Sequence, residues 1–381
     1  MSTQAADVII VGGGFMGAAA AFFLRKRGVS VILLERGLIG QQASGVNFGN
    51  VRRQGRAIEQ LPLANRSREI WLKLKELIGE DVELLLSGHL RIGYRPEHAE
   101  RLEKYAKDAQ PYGLGLEMMS AKAVHERFPY LGPEVSAGCY APYDGHANPR
   151  LAAPAFGRAA VREGAQVFEN TEIVNVEKDG EDFRVSAADG RTFRAPAVLI
   201  TAGAWGDRIS AKFGEPVPMI VKGPQMCVTE PVPYAIAPTI GLATDIPEEV
   251  VYFRQVARGN IVIGGGGHEP VDMENRRAYV NPRRTLMTLA QAPRVIPAFR
   301  HLSIIRVWSG IEGYMEDSRP VMGPSARVPG LYYAFGFSGH GFQLGPGVGD
   351  VMAELIHTGA TTTPIEHYHI GRFAKQAMQA A

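Results

Sequence analysis

Cysteine is nearly missing from this chain: only Cys139 and Cys227 occur in 381 residues. No metal-ligand spacing surrounds either one, so both are expected to be buried, inert thiols in a reducing compartment, and no metal site is expected. A surplus of one charge sign is lacking as well. Forty-one Lys and Arg face 39 Asp and Glu, and the net +2 is too small for a nucleic-acid or membrane-surface partner. No apolar span of twenty residues occurs. The apolar stretch Val8–Leu24 follows Asp7 and is interrupted by glycines, unlike a signal-peptide core. A cytoplasmic protein without a membrane span is the expectation. Internal repeats and low-complexity tracts are absent too. What remains is an ordinary globular composition, 45% hydrophobic and 21% charged, in a chain long enough for two domains.

Glycine is the residue in supply, and it clusters in two far-apart places. The first is "DVIIVGGGFMGAAAAFFLRKRGVSVILLERG" near the start. Val8–Val11 predicts a strand buried on both faces. Gly12, Gly14 and Gly17 then form G-x-G-x-x-G, ahead of a helix expected over about 18–27 and closed by Gly28. A second strand is expected over 29–34, with Glu35 at its tip. The order has a physical reason. The first glycine makes the turn, the second admits a pyrophosphate to the helix amino end, and the third lets helix and strand pack closely. Glu35 is placed to accept hydrogen bonds from a ribose diol, and its charge would repel a 2′-phosphate. Together these elements predict a dinucleotide site.

The second cluster, "FGFSGHGFQLGPGVGD" (335–350), places six glycines ahead of the apolar stretch Val351–Ile356. A glycine-rich loop feeding a helix aims N–H groups and a positive dipole end at an electron-rich group. After Glu35 the chain enters the irregular "RGLIGQQASGVNFGNVRRQGR" instead of another strand–helix unit. Both features suit a ligand that continues past the pyrophosphate, as FAD does with its ribityl chain and three-ring head.

With those motifs in place, the sequence resembles the FAD-dependent D-amino-acid oxidase, glycine oxidase and sarcosine oxidase family along almost its whole length. The resemblance rests on both glycine clusters, "ASGVNFGNVR", "APAVLITAGAW" (195–205) and "WSGIEGYMEDSRPVMGP" (308–324). It is nearest to β subunits of bacterial heteromeric opine, hydroxyproline or sarcosine dehydrogenases and oxidases. The implied fold is α/β (α+β overall), a Rossmann-like FAD-binding domain interleaved with an antiparallel-sheet substrate domain. The first would take 1–86, 146–215 and 308–381, and the second 87–145 and 216–307. Carried over residue by residue, Gly12, Gly14, Phe15 and Met16 would cradle the pyrophosphate, and Glu35 and Arg36 the adenosine end. Ala43, Ser44, Gly49, Asn50 and Val51 would follow the ribityl chain. The backbone near Val174 would bracket the adenine. Ala202 and Gly203 would close over the pyrophosphate, with Trp205 beside them. Gly339, His340, Gly341, Phe342 and Gln343 would lie under the pyrimidine edge.

Departures from the family pattern sharpen the reading. Monomeric sarcosine oxidases tether FAD through a cysteine, but the nearest position here is about Gly310, so non-covalent FAD is expected. Glycine-oxidase-like enzymes hold the substrate carboxylate with two arginines, whose positions align with Glu312 and Gly339. The implied reaction moves a hydride from the carbon beside an amine nitrogen to flavin N5, giving an imine that hydrolyses. Opines, N-alkyl amino acids and D-proline or hydroxyproline types are the substrate candidates, with opine catabolism the implied setting. A carboxylate needs a cation, and Arg52 or Arg254 is the candidate anchor, with Arg53 also in the flavin loop. Tyr252 alternates with Arg254 on an expected hairpin strand and offers its hydroxyl. Glu312 either meets a positive group on the substrate or pairs with Arg319. His340 joins the candidate reaction centre, and His268 is a candidate for the pocket entrance or a solvent-facing loop. A heteromeric complex would add a partner subunit that accepts electrons and an FMN at the subunit interface. The competing readings are a non-catalytic, flavin-holding relay subunit and a nicotinamide-dependent dehydrogenase.

Overall fold

The run Val8–Val11 has no polar side chain to offer water, and it forms strand β1 with all four residues buried. The computed structural model of the chain describes residues 4–374. Helix α1 (Phe15–Lys26) follows directly, starting three residues before the expected 18 because Gly14 already serves as its N-cap. Gly28, at φ +81°, then reverses the chain. Strand β2 (Val31–Leu34) pairs in parallel with β1, from Val8 opposite Val31 to Val11 opposite Leu34.

After β2 come α2 (Leu61–Leu72), α3 (Pro149–Arg162), β3 (Gln166–Phe168), β4 (Ala197–Ile200), β5 (Val321–Pro324), β6 (Leu331–Phe335) and α4 (Gly341–Thr358). The six strands form one sheet in the order β5-β6-β4-β1-β2-β3, parallel except for β5. One face carries α1, packed against α3 and α4, while α4 also packs against α2. The short helix Leu74–Ile78 follows α2 after Lys73.

Most of the second glycine cluster lies inside α4 rather than in a loop ahead of it. A Cβ on Gly345 would sit 2.5 Å from the Phe15 ring, and on Gly349 2.4 Å from Ala19 Cβ. One on Gly347 would lie 2.6 Å from Ser67 Cβ. These three glycines allow α4 to lie close against α1 and α2. Gly336 (φ +73°) and Gly339 (φ +79°) shape the approach to the helix.

A nine-stranded sheet forms the other half. Its path runs Ile304–Ser309, Met219–Pro231, Asn260–Glu269, Val251–Gln255, Thr239–Leu242, His89–Gly93, Ala137–Ala141 and Glu117–Ser120, and Glu312–Met315 also pairs with Met219–Pro231. The hairpin expected around Arg254 is Val251–Gln255 with Asn260–Glu269. The boundary expected at 307 falls within the strand Ile304–Ser309, and the sheet's pairing continues to Met315. Among the described residues no helix is long and apolar enough to cross a membrane.

Candidate cofactor and substrate site

A cavity of about 630 Å³ runs from the carboxyl ends of β1 and β2 to the inner side of the large sheet. At the β1 end the glycines lie at close approaches of the backbone. A Cβ on Gly12 (φ +110°) would lie 2.6 Å from the Thr201 carbonyl oxygen, and one on Gly17 2.0 Å from the Gly12 oxygen. A Cβ on Gly14 would lie 3.2 Å from Ser44 Oγ, a tight contact, with nothing else within 4 Å. Ser44 Oγ also accepts from the Phe15 N–H at 2.8 Å, so the short helix Ala43–Val46 is tied to the amino end of α1. Glu35 accepts from the N–H groups of Gly13 and Gly37, each at 2.7 Å. It pins the glycine turn, and each carboxylate oxygen retains a lone pair for a diol. The Arg36 guanidinium stacks 4.5 Å from the Trp205 ring centroid and lies 3.7 Å from Glu172, partly buried in the cavity wall.

These residues fit FAD on observations of their own. Trp205 Nε1 is buried in the cavity wall without a hydrogen-bond partner. The amino end of α4 has no side-chain cap, so its first N–H groups are free for a ligand. Gly339 leaves that approach open, since a Cβ there would meet nothing closer than 3.7 Å. Met16, Ala43, Gly49, Asn50, Ala202, Gly203, His340, Gly341, Phe342 and Gln343 also line the cavity.

Beyond α4 the cavity widens against the large sheet. Tyr252 stands edge-on to Phe48, centroids 4.8 Å apart, in space that Gly264 leaves: a Cβ there would lie 2.2 Å from the tyrosine ring. Burial, followed by the nearby Glu312 charge, pushes the Tyr252 phenol up to about 12, so it is a neutral donor. Glu312 accepts from the Gly339 N–H at 2.8 Å and from the Tyr314 hydroxyl at 3.0 Å. Tyr314 Oη lies 3.1 Å from Nε2 of the exposed His268. Burial raises the Glu312 carboxyl above its usual range. The alternative pairing with Arg319 does not form, because Arg319 binds Glu59 at 2.8 Å. Asp317 takes the structural role, accepting from the Arg319 N–H and from Arg372 Nε. His340 is held neutral by burial and then by the neighbouring arginines, which lower its basicity well below the usual histidine range.

Arg52 lines this compartment, but it is not alone. Arg56 and Arg91 line it too, as does His89. Sequence reasoning passed over both arginines. The signal for Arg91 was a charge alternating with His89 on the otherwise apolar strand His89–Gly93.

Three expected site residues lie elsewhere. Arg254 is buried outside the cavity wall, where its Nε donates to the Phe48 carbonyl at 2.6 Å and its Nη1 lies 3.3 Å from His146 Nδ1. It braces the loop that carries Phe48 and Gly49. Val51 is buried in the short strand Asn50–Val51, paired with Gly145–His146, and leaves the lining to Asn50 and Arg52. Val174 is 53% exposed, and Thr171, Glu172 and Ile173 line the cavity in its place. Gln343 lines the cavity, but its amide donates to the Ala64 carbonyl, which anchors α4 to α2. Neither Cys139 nor Cys227 is in the wall, and both are buried.

Comparison with known proteins places this geometry in a family. The chain is 29% identical over 383 residues to glycine oxidase of Geobacillus kaustophilus (strain HTA426), covering 97% of this chain and 99% of that protein. It is 25% identical to an opine oxidase subunit of Rhizobium meliloti, covering 97% and 98%. The crystal structure of L-proline dehydrogenase from P. horikoshii superimposes with a TM-score of 0.91 at 27% identity, covering 98% of this chain and 99% of that one. The model of the DAO family, described as FAD dependent oxidoreductase, matches residues 7–355. One cavity runs from the glycine turn at β1 past the uncapped α4 to a cation-lined compartment, and the chain that encloses it belongs to the DAO family of FAD-dependent oxidoreductases, enzymes acting on amino acids and amines.

Proposed function

We propose that this enzyme oxidises the C–N bond of an amino acid or secondary amine that carries a carboxylate, of the opine, N-alkyl amino acid or cyclic imino-acid type. One observation carries the reading: a single cavity joins the dinucleotide cradle to a compartment walled by Arg52, Tyr252 and Glu312. FAD, when bound, supplies the two-electron acceptor for a hydride, and the resulting imine hydrolyses in water. Gly12, Gly14, Phe15, Ser44, Glu35, Arg36 and Trp205 would hold its dinucleotide end without a covalent bond, and the amino end of α4 its ring end. Arg52 anchors the substrate carboxylate through a charge-assisted bond, and Tyr252 adds a neutral donor beside it. The apolar lining of Val46, Phe48 and Met226 keeps bulk water from the reacting carbon. The likeness to a subunit of opine oxidase supports a partner chain as electron acceptor, whereas no FMN is proposed.

The test is anaerobic. The purified, FAD-loaded chain is mixed with N-alkyl amino acids, opines and prolines while the absorbance of the oxidised flavin is followed. Bleaching by at least one class is the expected result. If no amine bleaches it and electrons enter only from another subunit, the chain is instead a relay.

A further inference from the structure

We infer that the substrate compartment is built for an amine bearing two carboxylates, the first held by Arg52 and the second by Arg91 and Arg56. The inference rests on the amine-oxidising reading above and narrows it.

The ground is a count of charge in the cavity wall, where Arg56 is buried and Arg52 and Arg91 are half-buried. Arg52, Arg53, Arg56 and Arg91 gather around one turn, and among the described residues the carboxylate that acts on Arg52 and Arg56 is Asp144. That carboxylate is already engaged: its oxygens lie 3.7 Å from Arg53 Nε and 2.9 Å from the Gln54 N–H that donates to it. Among the described residues, none of Arg52, Arg56 and Arg91 forms an ion pair. Arg56 is 3% exposed, and while its Nε donates to the Arg52 carbonyl and its Nη2 to the His340 carbonyl, its Nη1 has no partner. The Arg91 guanidinium forms no hydrogen bond among the described residues. Gly55, at φ +75°, lets two of them converge: a Cβ there would lie 2.6 Å from Arg91 Nη1 and 3.3 Å from Arg52 Nη1.

A buried cation with an unpartnered donor, as at Arg56 Nη1, is costly, and an anion of matching charge beside it offsets that cost. One carboxylate fills one guanidinium fork and leaves the others unmatched. Burial and then repulsion from Arg52 disfavour the charged forms of Arg56 and Arg91, and an incoming dianion offsets both with a counter-charge. The histidines beside them cannot supply the balance: His89 and His340 are buried and neutral, and they carry no negative charge. Two kinds of molecule share the required chemistry, an N-(carboxyalkyl) amino acid and an amino acid with an acidic side chain.

The experiment uses the FAD-loaded protein and two thioethers that cannot be oxidised as amines. Thiodiacetate carries two carboxylates and methylthioacetate one. Calorimetry and the flavin absorbance shift report binding without turnover. Thiodiacetate is expected to bind about tenfold or more tightly, as a charge-assisted hydrogen-bond pair implies. Arg91→Gln is expected to close that gap, and Arg91→Lys, which keeps the charge, to retain part of it. Equal affinities in the parent protein, or a gap that survives Arg91→Gln, overturns the inference. Anaerobic bleaching by iminodiacetate, aspartate and glutamate then separates the two kinds of molecule. Bleaching confined to monocarboxylate amines overturns the inference while the amine-oxidising reading stands, whereas no bleaching by any amine overturns that reading first.

Discussion

A carboxylate at position 312 accepts from the Gly339 N–H and the Tyr314 hydroxyl, which an arginine, having only donors, could not do. The two positions that align with the arginine clamp of glycine-oxidase-like enzymes are therefore bonded to each other here. Because the carboxyl of Glu312 is raised by burial, it is neutral at low pH and gains its charge only above the usual carboxylate range. Discrimination in favour of substrates with a cationic tail should thus strengthen as pH rises through that raised value and fade below it. Glu312→Gln should cost such substrates about tenfold in kcat/KM, the scale of one charged hydrogen bond, and flatten the pH dependence of their preference. Equal losses for tailed and untailed substrates would leave Glu312 with a positioning role only. The residue was legible in the sequence because a resemblance placed it against a missing arginine. Arg254 was not. Alternation put it on the same strand face as Tyr252, but alternation says nothing of what covers that face, and the Phe48–Gly49 loop covers Arg254.

At the scale of elements, the strand–glycine–helix–strand unit could be read because each of its glycines sits at a fixed step between elements of different period. The second cluster gave its helix but not the helix's start, because a glycine has no side chain to reveal whether a ligand or another helix comes close to it. The structure divides the labour: Gly336 and Gly339 turn the chain toward the cavity, while Gly345, Gly347 and Gly349 serve packing. Gly349→Ala should therefore destabilise the fold by about 1–3 kcal/mol through overpacking against α1. Urea unfolding of the protein freed of FAD checks this, since Gly349 lies directly against Ala19 of α1. A loss seen only in the FAD-loaded form would assign Gly349 to the ligand instead.

Over the whole molecule, segments far apart in the chain close over polar groups and take them out of water, and three of these are histidines. His146 lies beside Arg254, and burial and then that arginine lower its basicity from 6.5 to about 3. His89, bonded through Nδ1 to Gln54, and His340, among the arginines, are lowered well below the usual value as well. No sequence pattern announced this, because the burial comes from segments far apart in the chain closing over one another. The consequence has a definite sign. Below pH 6.5 the unfolded chain takes up protons at these histidines and the folded chain does not, so stability falls as pH drops. Each histidine that stays neutral contributes a loss of about 1.4 kcal/mol per pH unit, and for His146 the loss continues until the pH nears 3. Carboxylates lowered in the folded protein, such as Glu249, add losses of the same sign only at lower pH, whereas Glu312 and Asp144, raised by burial, take up protons earlier when folded and act in the opposite direction. Urea midpoints measured between about pH 7 and 5 should thus decline, the three histidines outweighing the raised carboxylates, and His146→Gln should make the decline shallower. Midpoints that stay level across that range would mean that these imidazoles find water or a counter-charge when protonated, and that the segments closed over them open far more readily than their burial implies.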